Sequence, residues 1–151
     1  MNEVEKVLRF IDLSVFVLIM WGMASAIPPN FIWFKPISVL IADSDVGSPP
    51  QISVGRIIYH PVLMSYQVAI RDVGNSNTVC DTSGGPFTYE PSALIPDDAD
   101  LEWWVGGEGL CWPLNPGTYI VETCWTVEKP FWGLVPPKTI CLNSNTFTIH
   151  P

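Results

Sequence analysis

The feature that most constrains this chain is a long stretch near its N-terminus that carries no charge. No Asp, Glu, Lys or Arg occurs from Leu13 to Phe34, and the most apolar part is LSVFVLIMWGM at residues 13–23. Roughly 20 apolar residues in a helix cross the hydrocarbon core of a bilayer. The sequence therefore predicts a hydrophobic N-terminal helix within residues 1–34 and one further domain, residues 35–151.

Two interpretations of this stretch lead to export of the domain. In the first it is a signal peptide, because Ala24-Ser25-Ala26 has the small-x-small pattern at which signal peptidase cleaves. Pro28 and Pro29 would keep the chain extended beyond the cut. Cleavage after Ala26 would give a secreted or periplasmic domain.

In the second interpretation, which we favour, the stretch is an uncleaved anchor in an inner or plasma membrane. Residues 13–34 would contact lipid, with Trp33 and Phe34 in the interfacial aromatic belt. The basic residues Lys6 and Arg9 precede the stretch, which favours a cytoplasmic N-terminus and a periplasmic or extracellular domain. The remaining alternative is a buried helix of a soluble protein.

Cysteine usage supports export. The chain has four cysteines, and all follow the hydrophobic stretch: Cys80, Cys111, Cys124 and Cys141. Exported domains commonly join such cysteines as disulfides. Free buried thiols and a zinc site are the alternatives. Zinc is disfavoured, because the sequence has no CxxC pair and neither histidine lies beside a cysteine. We expect two disulfides and no cofactor.

The charge balance restricts the partners. Asp and Glu number 15 against 7 Lys and Arg, which gives a formal net charge of −8. A domain with so few cations cannot neutralise a row of phosphates, so nucleic acid is not expected as a partner. Attraction to an anionic lipid surface is disfavoured for the same reason. A protein or glycan partner is compatible with this charge.

Short alternating segments predict strands after residue 34. The 15 prolines and 11 glycines are scattered, which favours many strands and turns over long helices. Turns are predicted at 74–77 and 83–86, and a glycine-rich loop at 106–109. The predicted strands are 35–42, 52–59, 64–73, 78–81, 100–105, 117–127, 138–142 and 146–150. The predicted fold class is all-β, a single antiparallel β-sandwich preceded by one hydrophobic helix.

The strand at 117–127 and the turn before it carry a family resemblance. The pattern Leu-x-Pro-Gly-Thr-Tyr-x-Val is formed by Leu114, Pro116, Gly117, Thr118, Tyr119 and Val121. It resembles the turn and penultimate strand of immunoglobulin-like and fibronectin type III-like sandwiches, and NTFTI at 145–149 resembles their final strand. The resemblance covers roughly the last 40 residues and implies that the Tyr119 hydroxyl bonds back to the preceding loop.

The same strand predicts a disulfide pairing. Side chains alternate along a strand, so Cys124 would face outward, opposite to an inward set of Tyr119, Val121, Thr123, Trp125 and Val127. Antibody-type domains differ, because their cysteine follows the tyrosine by two residues and faces the core. In a hairpin of 117–127 with 138–149, Cys141 faces outward beside Cys124, which leaves Cys80 with Cys111. The sequence alone permits all three pairings.

Catalytic motifs are missing from the sequence. No serine lies in GxSxG and no histidine lies in HExxH. His60 precedes a proline and His150 is the penultimate residue, so neither is expected to act as a base. We expect no enzymatic activity.

A cluster of carboxylates lies in PDDADLE and consists of Asp97, Asp98, Asp100 and Glu102. Calcium prefers several carboxylate oxygens on one loop, but the EF-hand pattern is missing and aspartates in turns mostly bond the local backbone. The cluster is thus a minor calcium candidate, and the main expectation is no metal. In an exported hydrolase the same cluster would supply the catalytic acids.

Tryptophans supply the candidate ligand-binding residues. Trp103 and Trp104 are adjacent, so one of them would face outward on a strand. An outward ring stacks on a sugar or anchors a protein contact, whereas an inward ring fills the core. The candidates are Trp104, Trp112, Phe131 and Trp132.

These expectations combine into a membrane-anchored, non-enzymatic binding or structural protein at the cell envelope or surface. A secreted carbohydrate-binding or adhesin module is the first alternative. A virion or filament subunit and an exported hydrolase are the others. The sequence has no Asn-x-Ser/Thr sequon, which favours a bacterial or viral source.

Overall fold

The hydrophobic stretch is helical. A computed structural model describes residues 3–106 and 111–151, and in it helix α1 runs from Glu3 to Ala26. The segment Arg9–Ala26 has a mean hydropathy of 1.5, and none of it is buried by the rest of the chain. By length and composition α1 is able to cross a membrane, and a signal sequence has the same properties.

Eight strands follow α1 in the described part of the chain: β1 (Phe34–Ile41), β2 (Ser44–Asp45), β3 (Ile52–Ile58), β4 (Val62–Asp72), β5 (Thr78–Tyr89), β6 (Gly117–Val127), β7 (Lys138–Asn143) and β8 (Phe147–His150). The other regular elements are helix α2 (Leu101–Trp104) and two 3₁₀ turns, Pro29–Phe31 and Pro130–Gly133. Strands predicted at 35–42, 52–59, 64–73, 117–127, 138–142 and 146–150 are confirmed. Apart from Gly106, the predicted glycine-rich loop lies outside the described residues.

The strands form two sheets. β1 and β3 pair antiparallel as a two-stranded sheet. The larger sheet has the order β2-β8-β6-β4-β5, and β7 also pairs with β6. β7 lies along the C-terminal half of β6 and β8 lies along its first residues. Because β4 lies on the other side, β6 has neighbours at both edges.

Buried side chains from both sheets belong to one hydrophobic cluster. The Phe34 ring of β1 lies 5.2 Å from the Trp125 ring of β6, measured between centroids. The inward set predicted for β6 is confirmed, since all five of its side chains are buried. Full burial of one large apolar side chain stabilises a fold by about 2 kcal/mol, so this alternation contributes much of the core.

The tyrosine hydrogen bond implied by the family resemblance is present. The Tyr119 hydroxyl donates to the Asn115 carbonyl oxygen at 2.8 Å. Burial raises the pKa of Tyr119, and the charge of Asp72 adds to this, so the phenol remains a donor at neutral pH. Gly117 allows the contact, because a Cβ atom there would lie 3.2 Å from the Tyr119 hydroxyl oxygen.

Two disulfides join Cys124 to Cys141 and Cys80 to Cys111, the same pairs as the hairpin register predicts. Cys124 and Cys141 are direct cross-strand partners in the ladder between β6 and β7. Their side chains lie on the outer face, opposite the buried Thr123 and Trp125. Cys111, by contrast, is buried with the hydrophobic cluster.

The predicted strand at 100–105 is wrong, because residues 101–104 form α2. Asp100 has extended backbone angles, and its carboxylate accepts a hydrogen bond from the Trp103 backbone N–H at 2.8 Å. This is an N-cap, which satisfies a donor that a helix leaves unpaired at its start. The local capping bond decides the conformation of a segment whose apolar residues are equally compatible with a strand.

The predicted turn at 83–86 is also wrong, because β5 continues through it to Tyr89. The register between β4 and β5 shifts here, so that Gly85 and Pro86 lie opposite the single residue Ser65. This is a β-bulge, which accommodates glycine and proline without ending the strand. Gly85 has φ +105°, a conformation that side-chain-bearing residues rarely adopt.

Phe34 does not lie in an interfacial belt as the anchor interpretation predicts. Its side chain is fully buried in the core, and β1 begins at this residue. Trp33 is half-buried and packs edge to face on Phe131, with ring centroids 4.9 Å apart. The β-rich part of the chain therefore includes both residues.

The substitution Tyr119→Phe should lower the free energy of unfolding by about 1 kcal/mol, because it removes one partly buried hydrogen bond. The measurement is urea unfolding of the full chain in detergent, followed by tryptophan fluorescence. Tyr59→Phe is the matched control, since the exposed Tyr59 hydroxyl has no hydrogen-bond partner among the described residues. Equal losses in both variants would contradict the role assigned to the Tyr119 bond.

Peptide mapping of the unreduced protein should recover two linked pairs, Cys124–Cys141 and Cys80–Cys111. In the chain-entropy picture the 17-residue and 31-residue separations correspond to about 3 and 4 kcal/mol of stabilisation. Replacing both cysteines of one pair by serine should thus cost more stability for Cys80 and Cys111. Recovery of any other linkage, or of free thiols, would refute the pairing.

Candidate ligand-binding pocket

Aromatic side chains from distant parts of the chain surround a pocket of about 410 Å³. The rings belong to Tyr66, Phe87, Tyr89, Trp103, Trp104 and Trp125. The remaining described lining residues are Arg56, Thr88, Ala93 and Leu94, and among the described residues of the lining only Arg56 is charged. Such a cavity, mostly apolar with few polar groups, has the general character of a small-ligand site.

Helix α2 positions the two adjacent tryptophans. The segment before it is tied to β3 by a hydrogen bond from the Ile52 N–H to the Ala99 carbonyl oxygen at 3.0 Å. The Asp100 cap then starts the helix. Successive residues of a helix point in different directions, so Trp104 is 8% exposed whereas Trp103 is 52% exposed. Trp104 forms the inner wall of the pocket and Trp103 its outer rim.

The inner wall is held by a buried hydrogen bond. Trp104 Nε1 donates to Thr123 Oγ1 at 3.2 Å, and Thr123 is fully buried on β6. The Trp104 and Trp125 rings meet edge to face with centroids 6.3 Å apart. Edge-to-face pairs are favourable for aromatic rings. The position of the Trp104 ring is therefore fixed before any ligand arrives.

The opposite wall is a stacked pair on β4 and β5. The rings of Tyr66 and Phe87 lie 6.3 Å apart with 26° between their planes. The Tyr66 ring lies across Gly84, where a Cβ atom would come within 2.7 Å of it. Glycine at this position therefore gives Tyr66 the room to lie flat on the neighbouring strand.

Arg56 has an open guanidinium group. Its Cζ lies 5.4 Å from the centroid of the Tyr89 ring, a cation–π geometry. Within the described residues the guanidinium makes no ion pair and donates no hydrogen bond. Burial lowers the pKa of Arg56 but leaves it charged at neutral pH, while burial raises the pKa of Tyr89 against the opposing effect of Arg56.

Comparison with protein-family models, with curated proteins and with solved structures found no match.

The structure separates the ligand-binding residues suggested by the sequence. Trp104 lines the pocket. Trp112 is buried in the same hydrophobic cluster as Trp104 but is not among the described residues that line the pocket. Phe131 and Trp132 lie on the loop between β6 and β7 and border a different cleft, beside Trp33.

Sequence reasoning missed most of the pocket. The sequence analysis gave no binding role to five of the lining residues, Arg56, Tyr66, Phe87, Tyr89 and Trp103. These residues come from β3, β4, β5 and α2, and no local pattern connects them. The one available signal was the tryptophan pair that begins three residues after Asp100, a potential capping aspartate.

The acidic cluster does not assemble a metal site in the described residues. Asp100 uses its carboxylate to cap α2, and no three of the four carboxylates gather as potential ligands. The group of potential ligand atoms that does gather is Glu122, Cys124 and Cys141. Both of these cysteines are in a disulfide, so they offer no thiolate to a metal.

The substitution Thr123→Val should lower the free energy of unfolding by about 1–3 kcal/mol, because it leaves the buried Trp104 N–H without an acceptor. Valine has nearly the same shape, so the loss reports the hydrogen bond. Thr126→Val is the control, since Thr126 shares a hydrogen bond with Thr139 on the exposed face. Urea unfolding of both variants gives the comparison, and equal stabilities would refute the role of the Trp104 bond.

Proposed function

We propose that this chain is an exported, membrane-anchored β-sandwich protein of the immunoglobulin-like type, which binds an acidic carbohydrate in the aromatic pocket and catalyses no reaction. The observation that carries the proposal is the open guanidinium of Arg56 at a pocket walled by six aromatic rings. The anchor and the binding site are separate parts of the proposal, and each has its own test.

The ligand class follows from the chemistry of the lining. The apolar faces of sugar rings stack on aromatic side chains, and the exposed Trp103 rim offers such a face. Guanidinium groups bind carboxylates through two parallel hydrogen bonds. A sugar ring that carries one carboxylate would satisfy both features of this pocket.

The net charge limits how acidic that ligand is. The chain carries a formal charge of −8, and this field repels polyanions. Among the lining residues that the structure describes, Arg56 is the one cation. A singly charged uronic-type or sialic-type residue therefore fits the electrostatics better than a sulfated or phosphorylated polymer.

The lining supports binding without catalysis. A general base must be able to accept a proton near neutral pH. Arg56 is always protonated, and burial raises the pKa of Tyr89, which keeps that phenol protonated too. The pocket thus offers stacking surfaces and hydrogen-bond donors to its ligand.

The anchor is supported by the surroundings of α1. Its apolar surface is left bare by the β-rich part of the chain, and only residues 27–33 separate it from β1. Lys138 donates hydrogen bonds to the carbonyl oxygens of Ser25 and Ile27 at the end of the helix. The Ser25 contact would be lost after cleavage at Ala26, which favours an uncleaved helix.

The sandwich assignment rests on the shared core and on the Tyr119 bond. Antibody constant domains divide seven strands between sheets of four and three, whereas here a two-stranded sheet faces a larger one. Leu101 and Trp104 of α2 join the same buried cluster. We infer that α2 covers the part of the larger sheet that β1 and β3 leave open.

Calorimetry of the full chain in nanodiscs against uronate- and sialate-terminated oligosaccharides, and against their neutral parents, tests the binding site. Arg56→Gln should lower the affinity for the acidic oligosaccharides about 10- to 100-fold, as expected for loss of a charged hydrogen bond. The affinity for the neutral oligosaccharides should not change. Trp103→Ala should lower the affinity for both the acidic and the neutral oligosaccharides. Arg71→Gln is the matched control, because Arg71 pairs with Glu122 away from the pocket.

Affinity should also stay constant from neutral to mildly alkaline pH and fall below about pH 4, where sugar carboxylates protonate and Arg56 does not. If none of these oligosaccharides binds, or if Arg71→Gln weakens binding as much as Arg56→Gln, the binding proposal is wrong.

Membrane fractionation with intact-mass measurement tests the anchor. A full-length chain in the membrane fraction, resistant to alkaline carbonate, is the expected result. A soluble product that begins at Ile27 would refute the anchor and leave the binding site untouched.

A further inference from the structure

An uncharged loop joins β6 to β7 beside the end of α1. Its sequence is PFWGLVPP, residues 130–137, here termed the proline loop. Trp132 is 92% exposed and Leu134 is 70% exposed. Large apolar side chains exposed together on a loop mark a contact surface more often than a free one. The occupant of that surface follows from where the loop lies along α1.

Hydrogen bonds fix the proline loop against the helix. The Trp21 indole N–H donates to the Leu134 carbonyl oxygen at 2.8 Å. Lys138, directly after the loop, donates to the Ile27 carbonyl oxygen at 2.7 Å and also to that of Ser25. The loop therefore lies alongside the last two turns of α1.

The contact with Trp21 sets the depth of the loop. Trp21 precedes Ala26 by five residues, which is about 8 Å along a helix axis. Trp21 belongs to the apolar segment Arg9–Ala26, so its partner Leu134 lies within the height of that segment. If α1 crosses a bilayer, the loop cannot remain in the aqueous phase.

We propose that the proline loop inserts Trp132 and Leu134 into the membrane leaflet from which α1 emerges. This inference rests on the proposed anchor and adds a second membrane contact in the β-rich part of the chain. The occupant of the surface is the boundary between lipid headgroups and acyl chains, where tryptophan is enriched.

The backbone of the proline loop suits this environment. Exposed N–H and carbonyl groups are costly in a bilayer unless they are paired. Pro130, Pro136 and Pro137 have no N–H. The Leu134 N–H donates to the Phe131 carbonyl oxygen at 3.1 Å, and the Leu134 carbonyl is paired with Trp21. Three of the eight loop residues thus have no N–H to bury, and both backbone groups of Leu134 are paired.

The conformation of the loop directs Trp132 outward. Phe131, Trp132 and Gly133 all have left-handed backbone angles, with φ of 49°, 57° and 84°. Side-chain-bearing residues rarely adopt this region, and when they do it often marks a functional site. Phe131 packs on Trp33 and holds the base of the loop, while the Trp132 ring points away from the domain.

Lysines flank the loop on both sides. Lys129 precedes it and Lys138 follows it. Long cationic side chains at membrane boundaries place their stems in the apolar region and their charges at the headgroups. The order lysine, apolar loop, lysine therefore matches the passage from headgroup to lipid and back.

Depth-dependent quenching tests the proposal in the full chain, reconstituted in phosphatidylcholine vesicles. Three variants each add one cysteine for an NBD label and keep the four native cysteines in their disulfides: Trp132→Cys in the loop, Phe16→Cys in the middle of α1, and Ser48→Cys in the exposed turn after β2. Lipids with a nitroxide near the carboxyl end of the acyl chain should reduce the signal at position 132 roughly twofold, the behaviour of an interfacial site. The label at position 48 should respond to aqueous iodide alone.

The label at position 16 separates the two proposals. Quenching by nitroxide lipids at position 16, together with iodide quenching at position 132, would keep the anchor and refute the loop insertion. A label at position 132 shielded from both quenchers would indicate a second copy or another protein as occupant, and would also refute insertion. Iodide quenching at position 16 would refute the anchor and the insertion together.

A second measurement avoids the added cysteine. The intrinsic fluorescence of Trp132 is obtained as the difference between the native chain and Trp132→Phe, with brominated lipids as quenchers. Trp103→Phe serves as the matched control, since Trp103 is exposed in the aromatic pocket. If the loop inserts, brominated lipids should quench the difference fluorescence assigned to Trp132 and leave that assigned to Trp103 unchanged. The reverse result would overturn the proposal.

Discussion

The alternation of side chains along β6 is the constraint on which the rest of the structure depends. One face of this strand supplies Tyr119, Val121, Thr123, Trp125 and Val127 to the core. The other face carries Cys124 into a disulfide with β7. A slip of one residue would exchange the two faces, and would break the core, the disulfide and the Tyr119 bond at once. Three neighbouring strands along both edges oppose such a slip.

The same strand connects the pocket to the proline loop. Thr123 and Trp125 of β6 support the inner wall through Trp104, and the loop begins three residues after Val127. On the opposite wall, Phe87 of β5 is the cross-strand partner of Met64 on β4. Met64 is in turn the partner of Val127 at the end of β6. The proposed ligand site and the proposed lipid contact therefore lie towards the same end of the larger sheet.

The sequence predicts those elements whose side chains alternate regularly. It fails for elements and sites whose structure is decided by long-range contacts or by a single local hydrogen bond. The strand at 117–127 follows from its alternating side chains. The Cys124–Cys141 disulfide follows from pairing that strand with 138–149 in a hairpin. Helix α2 was missed because one Asp100 carboxylate settles a segment with no clear period. The strand through Gly84 and Gly85 was missed because these glycines fit close contacts with another strand, Gly84 against the Tyr66 ring and Gly85 against the Ser65 backbone. The pocket was missed because its walls meet only after β3, β4, β5 and α2 are assembled.

The junction after α1 has a mechanical consequence. Seven residues join Ala26 to Phe34, and they are fixed by the Trp33 N–H to Pro29 carbonyl bond at 3.1 Å and by the Tyr59 N–H to Trp33 carbonyl bond at 3.0 Å. Lys138 also donates hydrogen bonds to the Ser25 and Ile27 carbonyl oxygens, so the end of the helix is joined to the β-rich part by contacts as well as by the chain. A spanning helix tilts when the bilayer becomes thinner. If α1 spans a bilayer, these contacts would pass that tilt on to the β-rich part of the chain, and local membrane thickness would then set the direction in which the pocket opens.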